Sequence, residues 1–247
     1  MNQNETISTS TSVLLKRKKK NIKVFLNASL QYGHKANQWN PKMAPYIFRE
    51  KQNQHIVDLI KTSKLLFHAG YFLQKIGQKK GTILFVGTSR VASKLVTTVS
   101  KIPNCYFVSY RWIGGLLTNW ATVQKQIQSY KNLLSSDFEN NYENKKEKIF
   151  AQKKLDKLKK LFDGIKDMKS IPDVVVFTNQ PKEYLAIQEC IRLGIPTVCI
   201  VDTNCDPDLN CYMIPANDDS RSSVKYILNY LKSKIIEGYK LSLKKNK

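Results

Sequence analysis

The sequence predicts a doubly wound α/β domain interrupted once by an antiparallel helical hairpin. Three observations carry this prediction. Five short runs, "TILFVG", "CYFVS", "DVVVFT", "TVCIVD" and "CYMIP", are apolar without alternation, as strands of a parallel sheet covered on both faces are. Segments with helical apolar spacing recur among them, giving a β-α-β rhythm. Between the second and third runs lie two heptad seams of similar length with a polar turn between them.

The elements follow in order. Residues 1–20 read as a mobile basic arm: "MNQNETISTSTS" has no apolar face, and Lys16, Arg17, Lys18, Lys19 and Lys20 follow it. A processed targeting peptide is the alternative reading, against which the arm has no apolar h-region for secretion and little arginine. A helical stretch near Val24–Leu30 precedes "YGHKANQWNPKMAPYIF" (Tyr32–Phe48), where Pro41 and Pro45 break any helix. Apolar spacing then predicts a helix over His55–Gly77, with Gly77 as its stop and His55 and His68 as packing residues on it. "TILFVG" passes through "TSR" to a helix over Val91–Ser100.

The first seam, Leu116, Trp120, Val123, Ile127, Tyr130 and Leu134, steps by 4, 3, 4, 3 and 4 residues. The second, Ala151, Leu155, Leu158, Phe162 and Ile165, steps by 4, 3, 4 and 3, with "SSDFENNYENKK" between the two. "PKEYLAIQECIRLG" (Pro181–Gly194) is a helix with Pro near its start and Gly past its end. The last helix is expected over Ser220–Glu237. The predicted division is an arm (1–20), an α/β domain (21–110 and 166–240) and a hairpin insertion (111–165).

Charge points to the partner. The 247 residues carry 41 Lys and Arg against 19 Asp and Glu, a net charge of +22. Such an excess favours a polyanion, nucleic acid first and an anionic membrane surface second. No apolar run approaches the roughly 18 residues of a spanning helix, so a soluble chain is expected. The five cysteines include no CxxC pair, and the six-residue steps Cys199–Cys205–Cys211 match no usual zinc spacing; reduced thiols are expected.

Lys35, Trp39, Lys42 and Arg49 interleave cations with an aromatic ring, which suits RNA. The bland reading of that segment is an ordered loop over the core, and both can hold. Arg90 follows a strand end, and Arg111 precedes the hairpin at "RWIGGLLTNW". Contact with RNA is expected of Arg111, packing of Trp112 and Trp120. Enzyme signatures are missing: there is no GxGxxG and no GxxxxGK[ST] after "ILFVG". Asp202 and Asp218 fall at strand ends where α/β ligands bind, and with His34 could hold a cation. The plainer expectation is that Asp218 and Asp219 cap the last helix.

Taken together, "GHKANQWNPKMAPYIF", "HIVDLIKT", "ILFVGTSRVAS", "RWIGGLLTNW", "GIKDMKSIPDVVVF" and "LGIPTVCIVDTNCDPDL…IPANDD" resemble small-subunit ribosomal protein two, a universal family of bacteria and organelles. They occur in the family's order, from about Leu26 to Glu237, and look closest to plastid members. The resemblance implies a flavodoxin-like sheet of five strands ordered 2-1-3-4-5 with a coiled-coil hairpin. It implies a non-catalytic component of the small ribosomal subunit, bound to ribosomal RNA between head and body. Its partners would be neighbouring ribosomal proteins, including the large OB-repeat mRNA-binding protein whose recruitment supports initiation, without a membrane and without a homo-oligomer. The place would be a plastid ribosome, with a bacterial cytoplasm as the alternative. His34, Asp202 and Asp218 match positions that hold a metal in some bacterial relatives; no metal or other cofactor is expected here. The competing reading is an α/β enzyme or binding module for a phosphorylated small molecule.

Overall fold

Strands form where β-branched residues run together and both faces can be buried. The structure, a computed structural model, describes residues 22–135 and 145–245. Five strands make one parallel sheet: β4 (Ile83–Val86), β5 (Cys105–Val108), β6 (Val174–Phe177), β7 (Thr197–Val201) and β8 (Tyr212–Pro215). Their order is β5-β4-β6-β7-β8. Numbered among themselves, that is the expected flavodoxin-like 2-1-3-4-5. Alternate residues explain the unbroken apolar runs. Ile83, Phe85, Val174, Val176, Val198 and Ile200 enter the core on one face. Leu84, Val86, Val175, Phe177, Cys199 and Val201 enter a second core on the other.

The first core is covered by residues 22–27 (α1), α2 (Leu59–Gln78), α3 (Ser93–Val99) and α7 (Arg221–Lys245). Helix α2 is shorter at its start than the periodicity suggests. Asp58 caps it, accepting from the amides of Ile60 (2.9 Å) and Lys61 (3.4 Å). His55 therefore lies on a strand, not on α2, and His68 lies on α2 but faces solvent. Helix α7 runs past Glu237 because Gly238 is a packing residue and not a stop. A Cβ at Gly238 would collide with the Gln74 carbonyl of α2, and one at Gly77 would meet the Ile235 carbonyl at 2.7 Å. The two helices approach backbone to backbone.

A second, antiparallel sheet was not evident in the sequence: β1 (Tyr32–Lys35), β2 (Ile47–Lys51) and β3 (Gln54–Val57), in the order β1-β3-β2. Strand β2 is exposed along most of its length, so it carries no apolar alternation to detect. Gln52 and Asn53 both have positive φ, the two-residue turn that joins hairpin strands.

The inserted hairpin is α4 (Trp120–Ser135) and α5 (Lys145–Phe162). Val123, Ile127 and Tyr130 pack with Phe162 and Ile165 in the same core as the lower face of the sheet. The seam opens toward the tip, where Leu134 is 46% exposed. Helix α6 (Tyr184–Arg192) closes this face with Ala186, Ile187 and Cys190, and Gly194 leaves it at φ +66°.

Candidate nucleic-acid interface

Ligands of doubly wound sheets sit beyond the carboxyl ends of the strands, at the point where strand order reverses. Here that point lies between β4 and β6, and it is filled from within. The wholly buried Glu183 carboxylate accepts from the amides of Thr88 (2.9 Å), Thr178 (3.0 Å) and Asn179 (3.1 Å). Burial pushes its pKa up to about 7, and these bonds oppose the rise. A phosphate would need the same amides. The buried Ser89 hydroxyl turns back to the Ala92 amide, 3.2 Å away.

Beside it lies the predicted carboxylate cluster. His34, on β1, places Nδ1 3.1 Å from Asp202 and Nε2 3.5 Å from Asp219. Its backbone amide donates to the Thr203 hydroxyl at 2.9 Å. Asp218 is buried and accepts from Asn179 Nδ2 at 2.9 Å; its Oδ1 has no partner. The hydrogen bond to Asp202 lifts the His34 pKa to about 9. Burial, then the nearby Asp202 charge, lifts Asp218 to about 8. His34, Asp202 and Asp218 offer ligand atoms within 4.8 Å of one another. One imidazole and two carboxylates, one of them with the orphaned Oδ1 of Asp218, fit a divalent cation by donor type. With protonated His34 and Asp218, the same cluster is a clamp that ties the antiparallel sheet to the end of β7. Neither Asp218 nor Asp219 caps α7. The Asn217 side chain takes the amides of Asp219 and Ser220, each at 2.9 Å.

The predicted cations fall in three places. Lys35, Trp39, Lys42 and Arg49 lie on or beside the antiparallel sheet. Lys35 is exposed, and Trp39, 39% exposed, meets the His55 ring edge-on at 5.2 Å. Arg49 lies over the Phe48 ring at 5.9 Å. Lys42 is already paired, with Asp206 and Asp208 at 2.9 Å each. Arg90 is exposed after β4, and Arg111 is exposed where the chain enters the hairpin. Lys16, Arg17, Lys18, Lys19 and Lys20 lie outside the described residues.

Trp112 packs, as expected: it is 8% exposed. Its Nε1 donates to Glu189 at 2.9 Å. Glu189 also accepts from the amides of Gly115 (2.8 Å), Leu117 (3.0 Å) and Thr118 (3.2 Å) and from the Thr118 hydroxyl (3.3 Å). One carboxylate on α6 thus holds the whole "WIGGLLT" turn, with Gly115 at φ +84°. Sequence reasoning passed over both Glu183 and Glu189. The signal was there for Glu189, an acid between the inward-facing Ala186, Ile187 and Cys190, since a buried carboxylate requires partners.

The ribosomal protein S2 family matches residues 25–238. The chain is 46% identical over 215 residues to the small ribosomal subunit protein uS2c of Phaeodactylum tricornutum, covering 86% of this chain and 95% of that protein. It is 45% identical to the protein of the same name from Trieres chinensis and 42% to that of Porphyra purpurea, over 94% and 89% of those chains.

The chain belongs to the ribosomal protein S2 family.

It is of the plastid type, and the family is structural, not enzymatic. The S2 segments named above map onto the geometry. "GHKANQW" supplies β1 and His34; "DTNCDPDL…IPANDD" supplies Asp202 and Asp218; "RWIGGLLTNW" is the turn that Glu189 holds. At the switch point the amides of Thr88, Thr178 and Asn179 are taken by the chain's own Glu183.

Proposed function

We propose that this chain is a non-catalytic component of the plastid small ribosomal subunit, held there by ribosomal RNA and neighbouring ribosomal proteins. The observation that carries the reading is the S2-family match over residues 25–238, with relatives named as small-subunit proteins over nearly their whole length. The net charge of +22 supports an RNA partner, because lysines and arginines gain by displacing the counterions condensed on phosphate. Among the described residues no helix is long and apolar enough to cross a membrane.

The finer reading is that the protein sits between the head and body of the subunit, and that its presence helps recruit the OB-repeat mRNA-binding protein. Lys35, Arg49, Arg90 and Arg111, all exposed, are the sequence-predicted cations that the structure leaves available for RNA. Sedimentation of the tagged protein through a sucrose gradient tests the main claim. It should travel with small subunits and leave them at high salt. Sedimentation as free protein in an organelle lysate would reject it.

A further inference from the structure

A groove of about 940 Å³ lies at the base of the hairpin, lined by the turn that precedes α4, by Gln126 and Ser129 of α4 and by α5. Arg111 lines it from the turn, and Lys153, Lys154, Lys157 and Lys160 line it from α5. The groove's one carboxylate is Asp156, which already accepts from Gln152 at 3.1 Å. All five cations are exposed, and among the described residues none forms an ion pair. Lys42, Lys131, Lys166 and Lys234 have a carboxylate within 4.0 Å, and what sets the groove apart is that five cations without one converge on it.

The arrangement is regular. Lys153, Lys157 and Lys160 step by four and three residues, a stripe running beside the apolar seam for about 10 Å at ~1.5 Å per residue. Like charges at this spacing repel, so the stripe destabilises an unliganded helix, and a polyanion relieves the repulsion. Tyr110 projects into the same groove, 58% exposed, with Lys160 Nζ 6.0 Å from its ring centroid. The wall is also rigid and open. Trp112 and Gly115 are bound to Glu189, and a Cβ at Gly114 would meet nothing within 4 Å, so another chain can approach the backbone there.

We infer that this groove takes an unpaired RNA strand, with phosphates along the α5 lysines and Arg111 and one base stacked on Tyr110. The inference rests on the reading of the chain as an RNA-bound ribosomal component and adds where, and in what form, RNA is held. The exposed ring favours an unpaired strand, because a duplex keeps its bases stacked internally and offers none to an aromatic side chain. Arg111 suits the turn because its planar fork grips a phosphate bidentately.

The test uses the full chain, an oligouridine of about ten nucleotides and an RNA duplex of equal length, with binding followed by fluorescence anisotropy. Replacing Lys153, Lys157 and Lys160 together by Gln should weaken oligouridine binding at least tenfold. It should also reduce the slope of log K against log salt by about 2, at roughly 0.7 for each phosphate no longer neutralised. The triple Lys→Arg variant keeps the charge and should keep the affinity. Tyr110→Leu should weaken oligouridine binding about tenfold and leave duplex binding unchanged. The replaced residues are exposed, and a thermal melt confirms that each variant folds. Wild-type affinity in the triple Gln variant overturns the groove, and an equal loss for strand and duplex in Tyr110→Leu overturns the stacking. Capture by phosphatidylserine vesicles that disappears in the same variants overturns the RNA assignment of this groove in favour of a membrane. If the wild-type chain binds no RNA even at low salt, the proposed function itself fails.

Discussion

Glu189→Ala should unfasten the entry to the hairpin. The side chain accepts five hydrogen bonds, two of them from buried donors, Trp112 Nε1 and the Leu117 amide. Removing the carboxylate leaves those two without a partner, at about 1–3 kcal/mol each, while solvent can reach the Gly115 and Thr118 donors. The expected loss is therefore about 2–6 kcal/mol, a large part of the stability of an ordinary domain. Glu189→Gln keeps one acceptor but turns an amide NH₂ toward donors, so it should cost about half as much. Acidity offers a second reading. Burial works to raise the Glu189 pKa, but the bonds from Trp112, Leu117, Gly115 and Thr118 outweigh it and hold it below the ordinary value. A lowered folded-state value means that the stabilisation is present above the unfolded pKa and fades as pH falls through the folded one. The gap between wild type and Glu189→Gln should accordingly narrow in acid. Urea melts followed by tryptophan fluorescence, at neutral and acidic pH, measure both effects. A Glu189→Ala protein within about 1 kcal/mol of wild type would refute the view that one carboxylate holds this turn.

Three further outcomes follow from the packing and the charges. Gly238→Ala should lower stability by about 1–3 kcal/mol, because α7 must move off α2; an unchanged melting temperature would contradict the close approach. His34 and Asp218 both hold protons more tightly folded than unfolded, so the stability they lend is present at low pH and lost as pH rises toward about 9 and about 8. Asp218→Asn should then flatten the fall in melting temperature between pH 3.8 and about 8, and an unaltered slope would show that Asp218 does not titrate in this window. Glu183→Ala should be strongly destabilised and partly rescued by formate, whose carboxylate can reach the amides of Thr88, Thr178 and Asn179. Equal stabilisation by chloride and formate would argue against a specific site.

The central sheet was legible because each strand is buried on both faces, and a short continuous apolar run between turn residues fits little else. The hairpin was legible because its seams must alternate by three and four to meet. The antiparallel sheet was not: β2 faces solvent, and its turn uses Gln52 in a conformation usually given to glycine or asparagine. The end of α7 was misread for a related reason. Glycine at 238 looks like a stop in sequence but serves a contact with α2, far away in the chain, that only the fold reveals. At the candidate site, Asp202 and Asp218 come together as their positions at strand ends suggested, while His34 reaches them from the antiparallel sheet, which the sequence did not reveal. The state of Lys42 was not legible, since its carboxylate partners Asp206 and Asp208 come from a distant loop.

Helix α6 and its entry explain how a fold suited to ligands becomes a scaffold. Glu183, just before the helix, gathers the amides of two strand-end loops at the switch point. Glu189, farther along the helix, gathers those of the hairpin turn. In an enzyme of this architecture such amides are left free to meet a phosphate and exchange it for another. Here the Glu183 and Glu189 side chains take them, tying the strand-end loops and the hairpin turn to α6 and its entry. Rigidity is what a long basic hairpin needs. Lysines on α5 can hold a fixed spacing against a polyanion only if the base of the hairpin does not swing, and that base is the turn fastened to Glu189. Under the proposed RNA reading, two buried acidic side chains, Glu183 and Glu189, fix the frame from which the groove's cations face solvent.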